Sequence, residues 1–174
     1  PTQDCVPVDG TCLFIFARST DISEDEAINI IEYLENGGKA LIISNYTDEE
    51  MPNFESVLEN YGVRPVDGIV MEGDTAHYIS QNPYYLLPNI ESNDVTSGLS
   101  SQSRYVLMPL AQGIETLDNI RDSLDIQSIL TTSDSAYSKT DLENMQTMEK
   151  ESSDIDGPFD LGVSITDCLL YTSD

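Results

Sequence analysis

The sequence has no tryptophan, one histidine and seven bases in its 174 residues. Thirty-two acids against those seven bases give a formal net charge of -25. A chain so poor in positive charge repels phosphates, which excludes nucleic acid as a ligand. It repels an anionic membrane surface in the same way. The acidic excess serves solubility, or the binding of a cation or a basic partner. The single His77 falls in an irregular loop and reads as a polar surface residue. Cys5, Cys12 and Cys168 contain no C-x-x-C spacing, hence no zinc or redox signature, and their odd number predicts no disulfide framework. No apolar run reaches the 18 residues of a membrane span, and no signal peptide is visible. What remains is 39% hydrophobic, enough for a real core.

The clearest stretch present is Asp21 to Ser44. Ser23 followed by Glu26 makes a capping box. Ala27, Ile30, Ile31 and Leu34 put one apolar face on the helix that follows, and Gly37-Gly38 ends it. Ala40 to Ile43 is then apolar on both faces, as is Cys12 to Ala17 upstream, where Cys12 reads as a small core residue. Such runs suit parallel strands covered by helices on each side. Strand, helix and strand make a βαβ unit.

A second helix is predicted from Pro52, with Phe54, Val57, Leu58 and Tyr61 inward and Gly62 closing it. Val66 to Met71 reads as a third strand, bulged at Asp67-Gly68. Glu72 to Ser103 is irregular, with turn signals at Asn82-Pro83 and Leu87-Pro88, and a loop of that length is functional or mobile. Tyr105 to Met108 and Gln127 to Thr132 are short strands. Ile114 to Leu124 fits a helix or a strand plus loop. Ser133 to Asp156 reads as an exposed excursion. Phe159 to Thr166 alternates apolar and polar, a half-exposed strand at or near a sheet edge. The order β-α-β-α-β predicts residues 1–174 to be a single α/β domain with a mainly parallel sheet.

Catalytic signatures are missing. Gly162-Val163-Ser164-Ile165-Thr166 lacks the last glycine of a nucleophile elbow and lies in a strand. Neither Cys12 nor Cys168 sits at a tight turn after a strand, where a nucleophilic cysteine would stand. No phosphate-cradling glycine motif occurs, so no nucleotide cofactor is expected. Asp154-x-Asp156-Gly157 with Asp160, and Asp48-Glu49-Glu50, offer oxygens for calcium but lack the spacing of a known loop, and no metal site is assigned. Thr47 with Glu50 suits a helix cap. In parallel sheets ligands bind beyond the carboxyl ends of the strands. Arg18, Thr20 and Asp21 after the first strand, and Asn45 and Tyr46 after the second, are therefore the candidate ligand-binding residues.

Several stretches resemble, in order, the extracytoplasmic domain of GldG-type proteins, the auxiliary subunits of ABC-2 type transport systems. They are Leu13 to Glu26, Ile31 to Ile43, Met51 to Val63, Asp67 to Val70, Asn93 to Leu99, Ile129 to Tyr137 and Asp156 to Thr166. Asn93-Asp94 stands where that family often has His-Pro. The resemblance implies a flavodoxin-like, class I glutamine-amidotransferase-like three-layer sandwich without catalytic residues. A similar domain in an intraflagellar transport protein serves assembly. The family resemblance implies transmembrane helices in the parent protein, a cell-membrane location with this domain extracytoplasmic, and an ABC-2 permease and ATP-binding subunits as partners. The chain begins at Pro1 and ends soon after a strand signal, so a piece of a longer membrane protein is expected. The alternative expectation is an extracellular sensor domain for a small ligand or cation. A hydrolase or amidotransferase with an unrecognised site that depends on His77 is the third.

Overall fold

The computed structural model of the chain describes residues 12–16, 20–98, 104–142 and 147–168. The chain forms two compact units, divided between Tyr61 and Gly62.

The first unit holds strand β1 (Leu13–Phe16), helix α1 (Glu24–Glu35), strand β2 (Ala40–Ile43) and helix α2 (Pro52–Asn60). The capping box forms as its sequence dictates. The Glu26 N–H donates to Ser23 Oγ at 3.2 Å, and the Ser23 N–H donates to Glu26 Oε2 at 2.9 Å. Gly37 takes φ +86, the left-handed turn that releases the chain from α1. β1 and β2 then pair in parallel, Phe14 with Leu41 and Phe16 with Ile43. Ile22, Ala27, Ile30, Met51, Phe54 and Val57 are buried together, with Leu13, Ile15 and Ile42 packed against them. Both helices therefore cover the same face of the two-stranded ribbon.

The second unit starts with β3 (Val63–Pro65) and β4 (Ile69–Met71), then β5 (Tyr85–Leu86), β6 (Asn89–Ile90), β7 (Met108–Pro109) and β8 (Ile114–Thr116). β9 (Leu124–Thr131), β10 (Tyr137–Lys139), β11 (Ile155–Asp156) and β12 (Asp160–Asp167) complete it. Its sheets run in the orders β3-β8-β12-β9-β6, β11-β10-β4 and β5-β7. Among the described residues every strand pair in this unit is antiparallel. Val70, Leu86, Ala136, Phe159 and Leu161 form its core.

The expected flavodoxin-like, mainly parallel three-layer sandwich is thus not the fold. Among the described residues β1 and β2 alone pair in parallel, and α1 and α2 are the helices. The physical reason is the connections. A parallel pair needs a crossover of a dozen residues or more, usually a helix. Among the described residues no helix follows Tyr61 to carry such a crossover, and the strands there pair antiparallel, most of them with partners that are not their neighbours in sequence. The ambiguous Ile114 to Leu124 stretch resolves as strand β8 followed by turns.

Three smaller expectations also change. The excursion from Ser133 to Asp156 contains β10, whose Tyr137, Ser138 and Lys139 are buried. Cys12 is exposed, and with Cys168 is a free thiol, while Cys5 lies outside the described residues. β12 is third in its five-stranded sheet, but it meets β8 at Asp160 alone, so its far half has only β9 beside it among the described residues. No described helix is long and apolar enough to cross a membrane.

Candidate functional site

The carboxyl ends of β1 and β2 lie side by side, because Phe16 pairs with Ile43 in a parallel register. The loops that leave them carry the residues expected to bind a ligand. Arg18 lies outside the described residues. Thr20 and Asn45 are exposed, and Tyr46 is half-buried with its hydroxyl donating to Asp48 Oδ1 at 2.7 Å.

Asp21 has a definite task. Helix α2 starts with Pro52 at its first position, and its N-cap Met51 has no side chain to offer the helix. The Asp21 carboxylate takes that role from the other loop. Its Oδ2 accepts the Asn53 N–H at 3.0 Å and the Asn53 side-chain amide at 2.9 Å. Its Oδ1 accepts the Phe54 N–H at 2.9 Å and the Ile22 N–H at 2.9 Å. An anion on the open amides of a helix start satisfies groups that have no partner within the helix and faces the positive end of its dipole. Burial pushes the Asp21 carboxyl up, but the amides of Asn53, Phe54 and Ile22 outweigh this and hold it below the usual aspartate value. Asp21 is thus a structural tie between the strand-end loop and α2. The expected Thr47 cap is replaced by it, and Thr47 Oγ1 accepts instead from the Glu49 N–H at 3.2 Å.

The other residues singled out in the sequence are engaged locally. His77 Nδ1 lies 3.2 Å from the Leu87 carbonyl and braces the 72–98 loop. Asn93 to Thr96 close a turn on themselves. Asn93 Oδ1 accepts the Val95 N–H at 2.8 Å, and buried Thr96 accepts the Asn93 N–H at 3.0 Å. Asp154 faces Lys139 at 3.1 Å, and Asp156 pairs with Lys150. Among the described residues no group of three or more His, Cys, Asp or Glu side chains is placed to hold a metal ion.

The largest feature missed in the sequence is the outer face of the β1–β2 ribbon. Leu13, Ile15 and Ile42 point to the helices, so Phe14, Phe16, Leu41 and Ile43 point away. They are 57%, 61%, 48% and 43% exposed. The two phenyl rings stack with centroids 6.2 Å apart and planes 12° apart. The register sets Phe14 beside Leu41 and Phe16 beside Ile43, which makes one continuous apolar surface. Singly exposed apolar residues are ordinary, whereas a contiguous patch of this kind marks an interaction surface. The signal was available: both strands are apolar on alternate and on intervening positions, and so ask for cover on two sides.

A solved structure described as the mmIFT52 N-terminal domain is similar to this chain, with a TM-score of 0.55 and 13% identity. The similarity covers 78% of this chain and 64% of that one, so the chain spans less than two thirds of its length. At this identity the likeness concerns the fold alone. The sequence matches no protein-family model and no curated protein.

Proposed function

We propose that this chain is a non-catalytic, extracytoplasmic interaction domain of a GldG-type auxiliary subunit of an ABC-2 type transport system. The observation that carries the reading is the ordered series of motifs from Leu13 to Thr166 that resembles that family. The exposed apolar face of Phe14, Phe16, Leu41 and Ile43 supports a role in binding a protein partner. Asp21, the one strand-end acid among the candidate ligand residues, is committed to capping α2. That also favours a partner over a small ligand held at the strand ends.

The test is affinity purification of the tagged full-length protein from detergent-solubilised native membranes. Co-purification of an ATP-binding subunit and a multi-span permease is the expected result. Recovery of the protein alone or with a signalling enzyme overturns the reading in favour of a sensor. A melting-temperature rise that grows with the concentration of calcium or a simple sugar would point the same way.

A further inference from the structure

We propose that the outer face of the β1–β2 ribbon is the seat of an amphipathic helix contributed by a partner protein, with lysine or arginine on the helix flanks. The inference rests on the interaction-domain reading above and names the chemistry of the partner.

Three observations carry it. First, the face is built for a helix. A right-handed βαβ unit lays its own helices on one side of a parallel ribbon, and α1 and α2 both sit there, over Leu13, Ile15 and Ile42. Parallel strands occur almost solely with helices on both faces. Phe14, Phe16, Leu41 and Ile43 supply the apolar stripe that a second helical layer would cover. A helix meeting such a stripe presents residues at i, i+3, i+4 and i+7.

Second, the charge is complementary to a basic partner. Residues 12–61 carry Arg18 and Lys39 as their only bases against a large excess of acids. The exposed Asp48, Glu49 and Glu50 stand in the loop that follows β2, at the end of the ribbon where Phe16 meets Ile43. A helix that ends there with lysine or arginine gains attraction, and an acidic one is repelled.

Third, the same charge argues against a second copy of this chain. Two chains of net charge -25 repel each other. Four side chains make a small patch, of the order of the few hundred Å² that a functional patch on a monomer covers. A stable symmetric dimer needs about 800 Å² from each side.

The experiment uses the full-length protein in native membranes, with photo-reactive benzoylphenylalanine placed at Phe16 and, separately, at Leu41. The cross-linked peptides are sequenced. The expected result is one helical segment of a separate polypeptide, reached from both positions, with lysine or arginine on its polar side. The cross-link from Phe16 falls about tenfold or more when Leu41→Glu is added, as for a central contact. It also weakens in 0.5 M salt as the charges are screened. Leu41→Ser, a smaller change at an exposed position, is run beside Leu41→Glu, with circular dichroism to show that both variants fold. Cross-links to the chain's own residues, to a second copy, to an acidic segment, or to nothing overturn the inference. If the Phe16 cross-link is undiminished by Leu41→Glu while an ATP-binding subunit and permease co-purify with the wild type, this inference falls while the transport reading stands. If wild-type protein brings down neither, the transport reading falls, and the cross-link alone decides the helix seat.

Discussion

Asp21 and Gly68 show how far a single residue's task is visible in its own neighbourhood. Asp21 follows a strand and so was expected at a ligand crevice. Its partners, Asn53 and Phe54, lie more than thirty residues on, and no local pattern connects them. Replacing Asp21 with Ala leaves the start of α2 uncapped and should destabilise the protein by about 1–2 kcal/mol in urea unfolding. The carboxyl is held below its ordinary value, so its contribution is complete above the unfolded aspartate pKa of about 3.9. It is lost as pH falls through the lower folded value. The stability gap between wild type and Asp21→Ala should therefore be full at pH 6 and close on acidification below about pH 4. Gly68 was expected at a bulge, and it does take φ +90. A Cβ there would lie 2.2 Å from the Lys139 carbonyl oxygen, which is backbone in β10 and cannot swing aside. Left-handed strain and overpacking together predict a loss of about 2–4 kcal/mol for Gly68→Ala, read as a shift of the urea midpoint.

Elements with local punctuation were legible, and those assembled from distant parts were not. The capping box, the glycine stop and the apolar face of α1 are all encoded within Ser23 to Gly38, and they form as expected. β10 carries no such signal, because Tyr137-Ser138-Lys139 is polar in sequence yet buried. Its burial depends on a clasp. Lys139 Nζ donates to the Glu149 carbonyl at 2.8 Å, to Glu151 Oε2 at 2.8 Å and to Asp154 Oδ2 at 3.1 Å. All three ammonium protons are used, and the Tyr137 hydroxyl adds a bond to the Met148 carbonyl. Burial pushes the Lys139 ammonium down, but Glu151 and Asp154 more than reverse this and raise it above the ordinary lysine value. Its contribution is complete below that ordinary value and disappears only as pH rises through the folded one. Lys139→Met leaves the Asp154 carboxylate, whose side chain is 2% exposed, without its cation and with the Glu151 N–H at 2.7 Å as its remaining partner, and should destabilise by about 3 kcal/mol. Adding Asp154→Leu in the same chain should return part of that loss, because an apolar pair can replace a buried ionic one. Thermal unfolding of the three proteins checks both statements.

For the whole molecule, composition was a sound guide to charge and a poor guide to topology. The βαβ unit is legible in residues 13–43, but its parallel pattern does not continue into the second unit. After Tyr61 the one further stretch that fits a helix, Ile114 to Leu124, forms strand β8 and turns instead, and the strands pair with partners far along the chain that no local pattern announces. The candidate site divides in the same way. The strand-end loops were visible from order alone, whereas the exposed outer face appeared only once both helices were seen on one side. The net charge of -25 has its own consequence. Self-repulsion in the compact state is screened by salt. Raising sodium chloride from 10 mM to 500 mM should lift the melting temperature by about 2–4 °C, the shift that about 1 kcal/mol gives in a protein of this size. A fall in melting temperature would mean that the ionic clasp at Lys139 outweighs the global repulsion.

The register of β4 against β10 also sets a timetable. Ile69 pairs with Lys139, so β4 leaves the ribosome on the order of 70 residues before its partner strand, roughly 3–14 s at about 5–20 residues per second. The β1–α1–β2 unit closes within its own short stretch and can fold while the rest is still being made. Throughout that interval Val70 and Met71, both destined for burial, have no strand to join. The nascent chain is therefore half finished and half sticky, and its yield in the cell should respond to chaperone supply and to translation speed between residues 72 and 139.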